Sequence, residues 1–260
     1  MKTNILLLLI LSTFIVSAQE NQEYQAKQYQ SQGETLPYRI LYPEGFSPDK
    51  QYPLILFLHG AGERGTDNQK QLIHGGEFFK EKVLSGEYPA IVVFPQAPQE
   101  EYWARIEPGS RETGFGFPSD PEPTWPMALV MELLDELLEE DYIKKDQVYV
   151  GGLSMGGMGT LELLAHRPNT FAAAIAICGG GNPDNVSAYA DNTALWFFHG
   201  AKDEVVPVEH SYRMVHALQD LGADVTLTVY EEAGHNAWDP AFAEGDLLSW
   251  LFSKKLGNQE

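Results

Sequence analysis

The chain has 260 residues, 37 acidic side chains against 17 lysines and arginines, and a formal net charge of −20 at pH 7. A surface this acidic repels the phosphates of nucleic acids and of anionic lipids, so we expect neither as a partner. The single cysteine, Cys178, excludes an internal disulfide, and its place in the apolar run 171–178 predicts a small buried side chain.

Residues 1–18 have the pattern of a secretory signal peptide. A basic residue precedes the almost entirely apolar run 5–16, and Val16–Ser17–Ala18 supplies a small-x-small cleavage site. The run is short for a membrane span, and a signal-anchor is the alternative. We expect cleavage before Gln19, export to the periplasm or the exterior, no membrane attachment afterwards, and one α/β domain over 19–260.

Short apolar runs alternate with helical patterns along the rest of the chain. In chain order, we predict a loose entry or edge hairpin (20–34), strands 35–42 and 52–58, a helix with loops (67–85), strand 90–94, helix 125–140, strand 147–150, helix 155–166, strands 172–177 and 194–198, helix 208–221, strand 224–230 and a closing helix near 239–254. This alternation predicts an open, mostly parallel sheet with helices on both faces, where ligands bind beyond the carboxyl ends of the strands.

The segment 96–125 interrupts this alternation. It is rich in proline, glycine and aromatic residues and contains no clear element. Loops of that length inside a compact domain are usually functional, so we predict a lid or a pocket wall here.

The segment Gly152–Leu153–Ser154–Met155–Gly156 follows a predicted strand and precedes a predicted helix. Gly-x-Ser-x-Gly in that context is typical of a nucleophile elbow, a sharp turn that exposes the serine hydroxyl. The two glycines avoid a clash where the turn folds back on itself. Ser154 is therefore our candidate nucleophile.

A serine hydroxyl needs a base, and the base needs a carboxylate that orients it. His235 follows the predicted strand 224–230 in a loop with a preceding glycine, and Asp203 follows the predicted strand 194–198. The chain order serine, aspartate, histidine matches that of strand-end triads in α/β folds. Glu204 is the alternative acid. His59 and His199 each precede a glycine at a strand end, and we interpret both as structural.

Two backbone amides should stabilise the oxyanion. We assign them to Met155, directly after the nucleophile, and to Ala61, which lies between two glycines in the loop after the strand 52–58. Trp103, Trp125 and Trp238 could line a substrate subsite or simply pack in the core. No histidine spacing indicates a metal site, and we expect neither a metal nor a cofactor.

Four segments carry motifs of a known family: Leu58–Gly65, Gly152–Gly156, His199–Asp203 and Gly234–His235. With them, the chain resembles the α/β-hydrolase superfamily. More narrowly, the chain is similar to secreted bacterial esterases often labelled predicted peptidases, which are related to the phospholipase/carboxylesterase and polyhydroxybutyrate-depolymerase-like groups. The resemblance covers about 35–254 and implies an α/β-hydrolase fold and cofactor-free acyl hydrolysis through Ser154, Asp203, His235, Ala61 and Met155.

The expected activity is that of a serine carboxylic-ester hydrolase that forms an acyl-enzyme. An unperturbed histidine base titrates near pH 6.5, so we expect activity to fall below about that pH. The substrate is a small-molecule or polysaccharide ester, and the oligomeric state is not readable from the sequence. Two alternatives are a serine peptidase with the same triad and a non-catalytic carbohydrate-binding or surface protein with the same fold.

Overall fold

The structure is a computed structural model that describes residues 23–110, 112–119 and 122–257. The segment for which we predict a signal peptide, 1–18, lies outside the described residues.

Within the described ranges, eight strands form one sheet in the order β1-β2-β4-β3-β7-β8-β9-β10. Their bounds are Gln25–Ser31 (β1), Glu34–Leu41 (β2), Tyr52–Leu58 (β3), Ile91–Pro95 (β4), Ile143–Leu153 (β7), Ala173–Ile177 (β8), Ala194–Gly200 (β9) and Val225–Tyr230 (β10). A separate short hairpin pairs Glu107–Pro108 (β5) with Phe115–Gly116 (β6). In the eight-stranded sheet, β2 is antiparallel to both of its neighbours, β1 and β4, and every other pair is parallel. The predicted, mostly parallel sheet is confirmed.

Over the described residues, six α-helices cover the two faces of the sheet. Their bounds are Gly76–Leu84 (α1), Trp125–Glu139 (α2), Met155–His166 (α3), Glu209–Asp220 (α4), Trp238–Phe242 (α5) and Leu247–Ser253 (α6). The apolar sides of α2, α3 and α4 pack on one face, and those of α1, α5 and α6 pack on the other. The central strand β3 is buried along its whole length because helices cover both of its faces. No helix within the described ranges is long and apolar enough to cross a bilayer.

Two predicted helices differ from the observed ones. The helix expected within 67–85 begins only at Gly76, because Gly75 has a φ of +87° and ends the preceding turns. The closing helix expected near 239–254 is interrupted between α5 and α6, where Gly245 lies. Glycine is a poor helix former, and its place in the gap explains why one continuous apolar pattern gives two short helices.

The described residues of the segment 96–125 pack against the helical layer on the side of α3. The lid or pocket wall expected for this segment stays a prediction. Phe115 and Phe117, in and just after β6, pack against Met158 of α3 and against Val206. At the end of this segment, the Thr124 hydroxyl donates to the carbonyl of Tyr102 and accepts the amide of Met127, in the first turn of α2. The segment 96–125, which we call the insertion, thus contacts both α2 and α3.

Candidate active site

The turn between β7 and α3 holds Ser154 in a sparsely populated backbone conformation, with φ 53° and ψ −118°. A Cβ on Gly156 would lie 1.9 Å from the carbonyl oxygen of Leu58, and one on Gly152 would lie 2.3 Å from the carbonyl oxygen of Gly156. Only glycine fits at both positions. The local crowding therefore explains the Gly-x-Ser-x-Gly pattern, and the strained turn presents the hydroxyl beyond the strand end.

Ser154, His235 and Asp203 meet in a single hydrogen-bonded relay. The Ser154 Oγ lies 2.9 Å from His235 Nε2, and His235 Nδ1 lies 2.8 Å from Asp203 Oδ2. Because the carboxylate accepts, Nδ1 carries the proton, and Nε2 is free to accept the proton of the serine hydroxyl. The alternative acid, Glu204, is exposed, and His235 pairs with Asp203 instead.

Close backbone packing brings the aspartate and histidine loops together. The amide of Ala201 donates to the carbonyl of Tyr230, and the amide of Lys202 donates to the carbonyl of Ala233. A Cβ on Gly200 would lie 2.1 Å from the carbonyl oxygen of Gly234. The last residue of β9 must therefore be glycine for the loop that carries His235 to approach.

Asp203 is buried and surrounded by donors. Burial opposes the charged form, but hydrogen bonds from His199 and His235 and from the amides of Val206 and Val205 outweigh it, so the pKa of Asp203 lies well below its usual range. Nearly all of this environment comes from the loop 203–206 and from the two histidines. The carboxylate therefore stays ionised throughout the range in which a histidine base works.

His199 is the residue near the relay whose contact the sequence did not predict. Its Nε2 lies 3.3 Å from Asp203 Oδ2 and 2.8 Å from the carbonyl oxygen of Val206, and its Nδ1 lies 2.7 Å from Ser211 Oγ. The carbonyl acceptor places a proton on Nε2, which is shared with the carboxylate. The only local signal was its position at the end of a buried strand.

The loop after β3 lies directly against the elbow. A Cβ on Gly60 would lie 2.8 Å from the side chain of Leu153, which shows how closely the two backbones approach. Ala61 and Met155 are the first residues of their helical turns, positions at which backbone amides have no intrahelical partner. The fold thus brings the residue before Ala61 against the residue before Ser154. The oxyanion hole formed by the amides of Ala61 and Met155 stays a prediction.

His59 anchors the loop after β3 through buried hydrogen bonds. Burial lowers the pKa of His59 to about 4, so its ring is neutral. The ring accepts the amide of Ala97 at Nε2 and donates from Nδ1 to the carbonyl of Gly60. The indole of Trp103 donates to the carbonyl of His59. These contacts agree with the structural role predicted for His59.

The three candidate subsite tryptophans have different environments. Trp103 is fully buried against His59, so it supports the loop and does not line an open subsite. Trp125 is half-buried at the start of α2, where it packs on the core. Trp238 meets the His235 ring edge-on, with centroids 5.5 Å apart, and packs on its other side against His74. Only Trp238 contacts the relay.

Cys178, Asp203 and His235 place their potential metal-ligand atoms within 4.8 Å of one another. The arrangement suits a metal poorly, because the aspartate and histidine already bind each other. Burial also raises the pKa of the Cys178 thiol, which disfavours the thiolate that a metal needs. Cys178 is buried, as predicted, behind the relay.

The comparisons with known proteins agree with this geometry. A profile of the phospholipase/carboxylesterase family matches residues 121–244, which include all three members of the relay. The crystal structure of a thermostable esterase has a TM-score of 0.81 and 34% identity, over 90% of this chain and 64% of that one. A probable carboxylesterase, SOBER1-like, of Arabidopsis thaliana is 26% identical over 76% of this chain and 77% of its own.

A third relative is longer. The bifunctional acetylxylan esterase/xylanase XynS20E of Neocallimastix patriciarum is 25% identical over 67% of this chain, but the match spans only 22% of that protein. The chain therefore spans about a fifth of this relative and under two thirds of the thermostable esterase. Fold, strand order, elbow and family profile agree: the chain has the α/β-hydrolase fold, and the relatives it matches are esterases of that superfamily.

Proposed function

We propose that the protein is a serine carboxylic-ester hydrolase. The observation that carries the proposal is the hydrogen-bonded relay of Ser154, His235 and Asp203, with contacts of 2.9 and 2.8 Å, at a strained elbow. The similarity to esterases supports ester rather than amide cleavage. A non-catalytic binding protein would have no need for a positive φ at a serine that faces a histidine base.

In the proposed reaction, His235 Nε2 takes the hydroxyl proton as Ser154 Oγ attacks the ester carbonyl carbon. The carbonyl oxygen becomes an oxyanion that accepts hydrogen bonds from the amides of Ala61 and Met155. When the bond to the leaving alkoxide breaks, His235 returns the proton to it, which leaves an acyl group on Ser154. Water then attacks the acyl carbon, His235 takes its proton, and the acid leaves as Ser154 regains its hydrogen.

We infer that the ester is part of an extracellular acylated polysaccharide. Two features support this substrate. One relative bears the name of an acetylxylan esterase, and the pattern of residues 1–18 is that of an export signal.

One substrate panel tests the proposal. It comprises acetyl, butyryl and octanoyl 4-nitrophenyl esters, acetylated and feruloylated xylan, and a proline-containing peptide amide. We expect ester cleavage, with a loss of at least about 10⁴-fold in Ser154→Ala. The control is Ser249→Ala, which removes an exposed hydroxyl on α6. Faster cleavage of the amide than of every ester would favour the peptidase, and equal turnover by Ser154→Ala would refute the proposal.

A further inference from the structure

A two-part groove lies between the insertion and the helical layer. The outer part is a cavity of about 240 Å³ between the hairpin β5–β6 and the start of α4. The inner part has room for about 20 Å³, enough for one water-sized group, above α3. Both parts are lined by Phe117, Gly181 and Asn182, so they adjoin.

The inner part contains polar groups that the protein leaves unsatisfied. Among the described residues, neither the Tyr189 hydroxyl nor Glu162 Oε1 has a hydrogen-bond partner, although both side chains are almost fully buried. The other carboxylate oxygen of Glu162 accepts the amide of Arg105, and Oε1 lies 3.9 Å from His166 Nε2. Buried polar groups usually have partners, so these two point to a ligand that supplies them.

The outer part combines aromatic rings with polar side chains. Phe115 stacks on His210 with centroids 4.4 Å apart, and Phe117 meets the same ring edge-on. Arg213 and Glu107 also line this part. Such a surface suits a ligand with an apolar face and a hydroxyl-rich edge.

The groove is continuous with the elements that hold the relay. Phe115 and Phe117 pack on Met158, four residues after Ser154, and on Val206, three residues after Asp203. Glu162 follows Ser154 by eight residues on one helix, which is about 12 Å along the axis. A ligand in the groove therefore lies beside the ester-binding position and does not occupy it.

We propose that this groove binds a sugar unit of the polysaccharide, next to the unit that carries the ester. The sugar ring stacks on the phenylalanines, and one hydroxyl enters the inner part, where it donates to Glu162 and pairs with Tyr189. A neutral saccharide fits better than an acidic one, because Glu162 and Glu107 both line the groove. The inference rests on the proposed function, since the groove selects the substrate of the same serine.

The first test is direct binding of unacylated sugars. The full chain carrying Ser154→Ala is titrated by calorimetry with xylohexaose, cellohexaose and mannohexaose. We expect saturable binding of at least one of them, weakened at least fivefold by Glu162→Gln or Phe115→Ala. The control is Tyr212→Ala, which removes a ring on the same helix as Arg213 but outside both cavities. Arg213→Ala replaces Phe115→Ala if the latter does not fold.

The second test compares two substrates. It divides kcat/KM for an acetylated xylo-oligosaccharide by kcat/KM for 4-nitrophenyl acetate. The aryl ester is too short to reach the groove, so the groove variants should lower this ratio at least tenfold and Tyr212→Ala should not. Absence of binding by all three sugars, or a ratio equal to wild type in the groove variants, overturns the inference. Failure of the proposed function would look different, because the unmodified protein would then not hydrolyse 4-nitrophenyl acetate.

Discussion

Asp203 is the residue on which the relay depends, because it faces two histidines at once. Its Oδ2 lies 2.8 Å from His235 Nδ1 and 3.3 Å from His199 Nε2, while Oδ1 accepts two backbone amides. A fully buried carboxylate with this many donors stays ionised, as its lowered pKa indicates. It therefore holds the proton of His235 on Nδ1 and leaves Nε2 to receive that of Ser154.

We expect Asp203→Asn to lower kcat for an aryl acetate by about 10³- to 10⁴-fold. The amide places a donor opposite His235 Nδ1 and favours the wrong tautomer. Steady-state kinetics measures the loss of kcat, and urea denaturation shows whether the variant is still folded. The matched control is Glu204→Gln, which neutralises the exposed neighbour and should stay within about twofold of wild type. A larger loss in the glutamate variant would move the acid to Glu204.

At the scale of elements, the elbow is the point where β3, β7 and α3 come closest. The carbonyl of Leu58 and the backbone of Gly156 leave no space for a methyl group. The same contact brings the loop that carries Ala61 beside Ser154. The close packing of these three elements thus positions the nucleophile and the proposed oxyanion hole together.

Gly156→Ala should lower the free energy of unfolding by about 3 kcal/mol or more, because β3 or α3 must move to admit the methyl group. Chemical denaturation measures this change. Gly245→Ala is the control, since nothing lies within 4 Å of a Cβ at that exposed position and its φ is not positive. Similar stability in the two variants would show that the elbow is not tightly packed.

Elements were predictable where two independent signals coincide. The bounds of β3 and α3 were predicted without error. The apolar run of β3 ends just before a glycine-containing loop, and α3 lies between the Gly-x-Ser-x-Gly turn and Pro168. Two helix boundaries were not predictable, because each depends on a single turn within an apolar pattern. They are the break between α5 and α6 and the late start of α1. The hairpin β5–β6 has only two residues in each strand and gives no periodicity to read.

For the molecule as a whole, the candidate relay was predictable because its three members follow strand ends in a known order. The contacts that sequence could not predict join distant segments. Glu162 accepts the amide of Arg105, 57 positions away, and the Trp103 indole donates to the carbonyl of His59, 44 positions away. Nothing local to either residue indicates these partners, since tertiary packing alone brings them together.

Glu162 makes stability depend on pH. Burial raises the pKa of its carboxyl to about 7, from 4.5. The unfolded chain releases this proton near pH 4.5 and the folded chain only near 7, so the contribution of Glu162 to stability is lost as pH rises between these values. Glu162→Gln does not titrate there, so it should gain about 3 kcal/mol relative to wild type between pH 4.5 and 8.

Urea denaturation at several pH values measures that difference. The variant keeps an acceptor for the Arg105 amide, so the comparison isolates the charge. Glu136→Gln, which neutralises an exposed carboxylate on α2, is the control and should follow the wild-type curve. Parallel curves for wild type and Glu162→Gln would mean that the Glu162 carboxyl titrates as it does in the unfolded chain.

The central claim is that Ser154 is a nucleophile activated by His235. The direct measurement is reaction with a fluorophosphonate, followed by peptide mapping of the adduct by mass spectrometry. The account predicts one adduct, on Ser154, that is absent in Ser154→Ala and forms at least about 10³-fold more slowly in His235→Ala. An adduct on another residue, or labelling of Ser154 at an unchanged rate without His235, would contradict it.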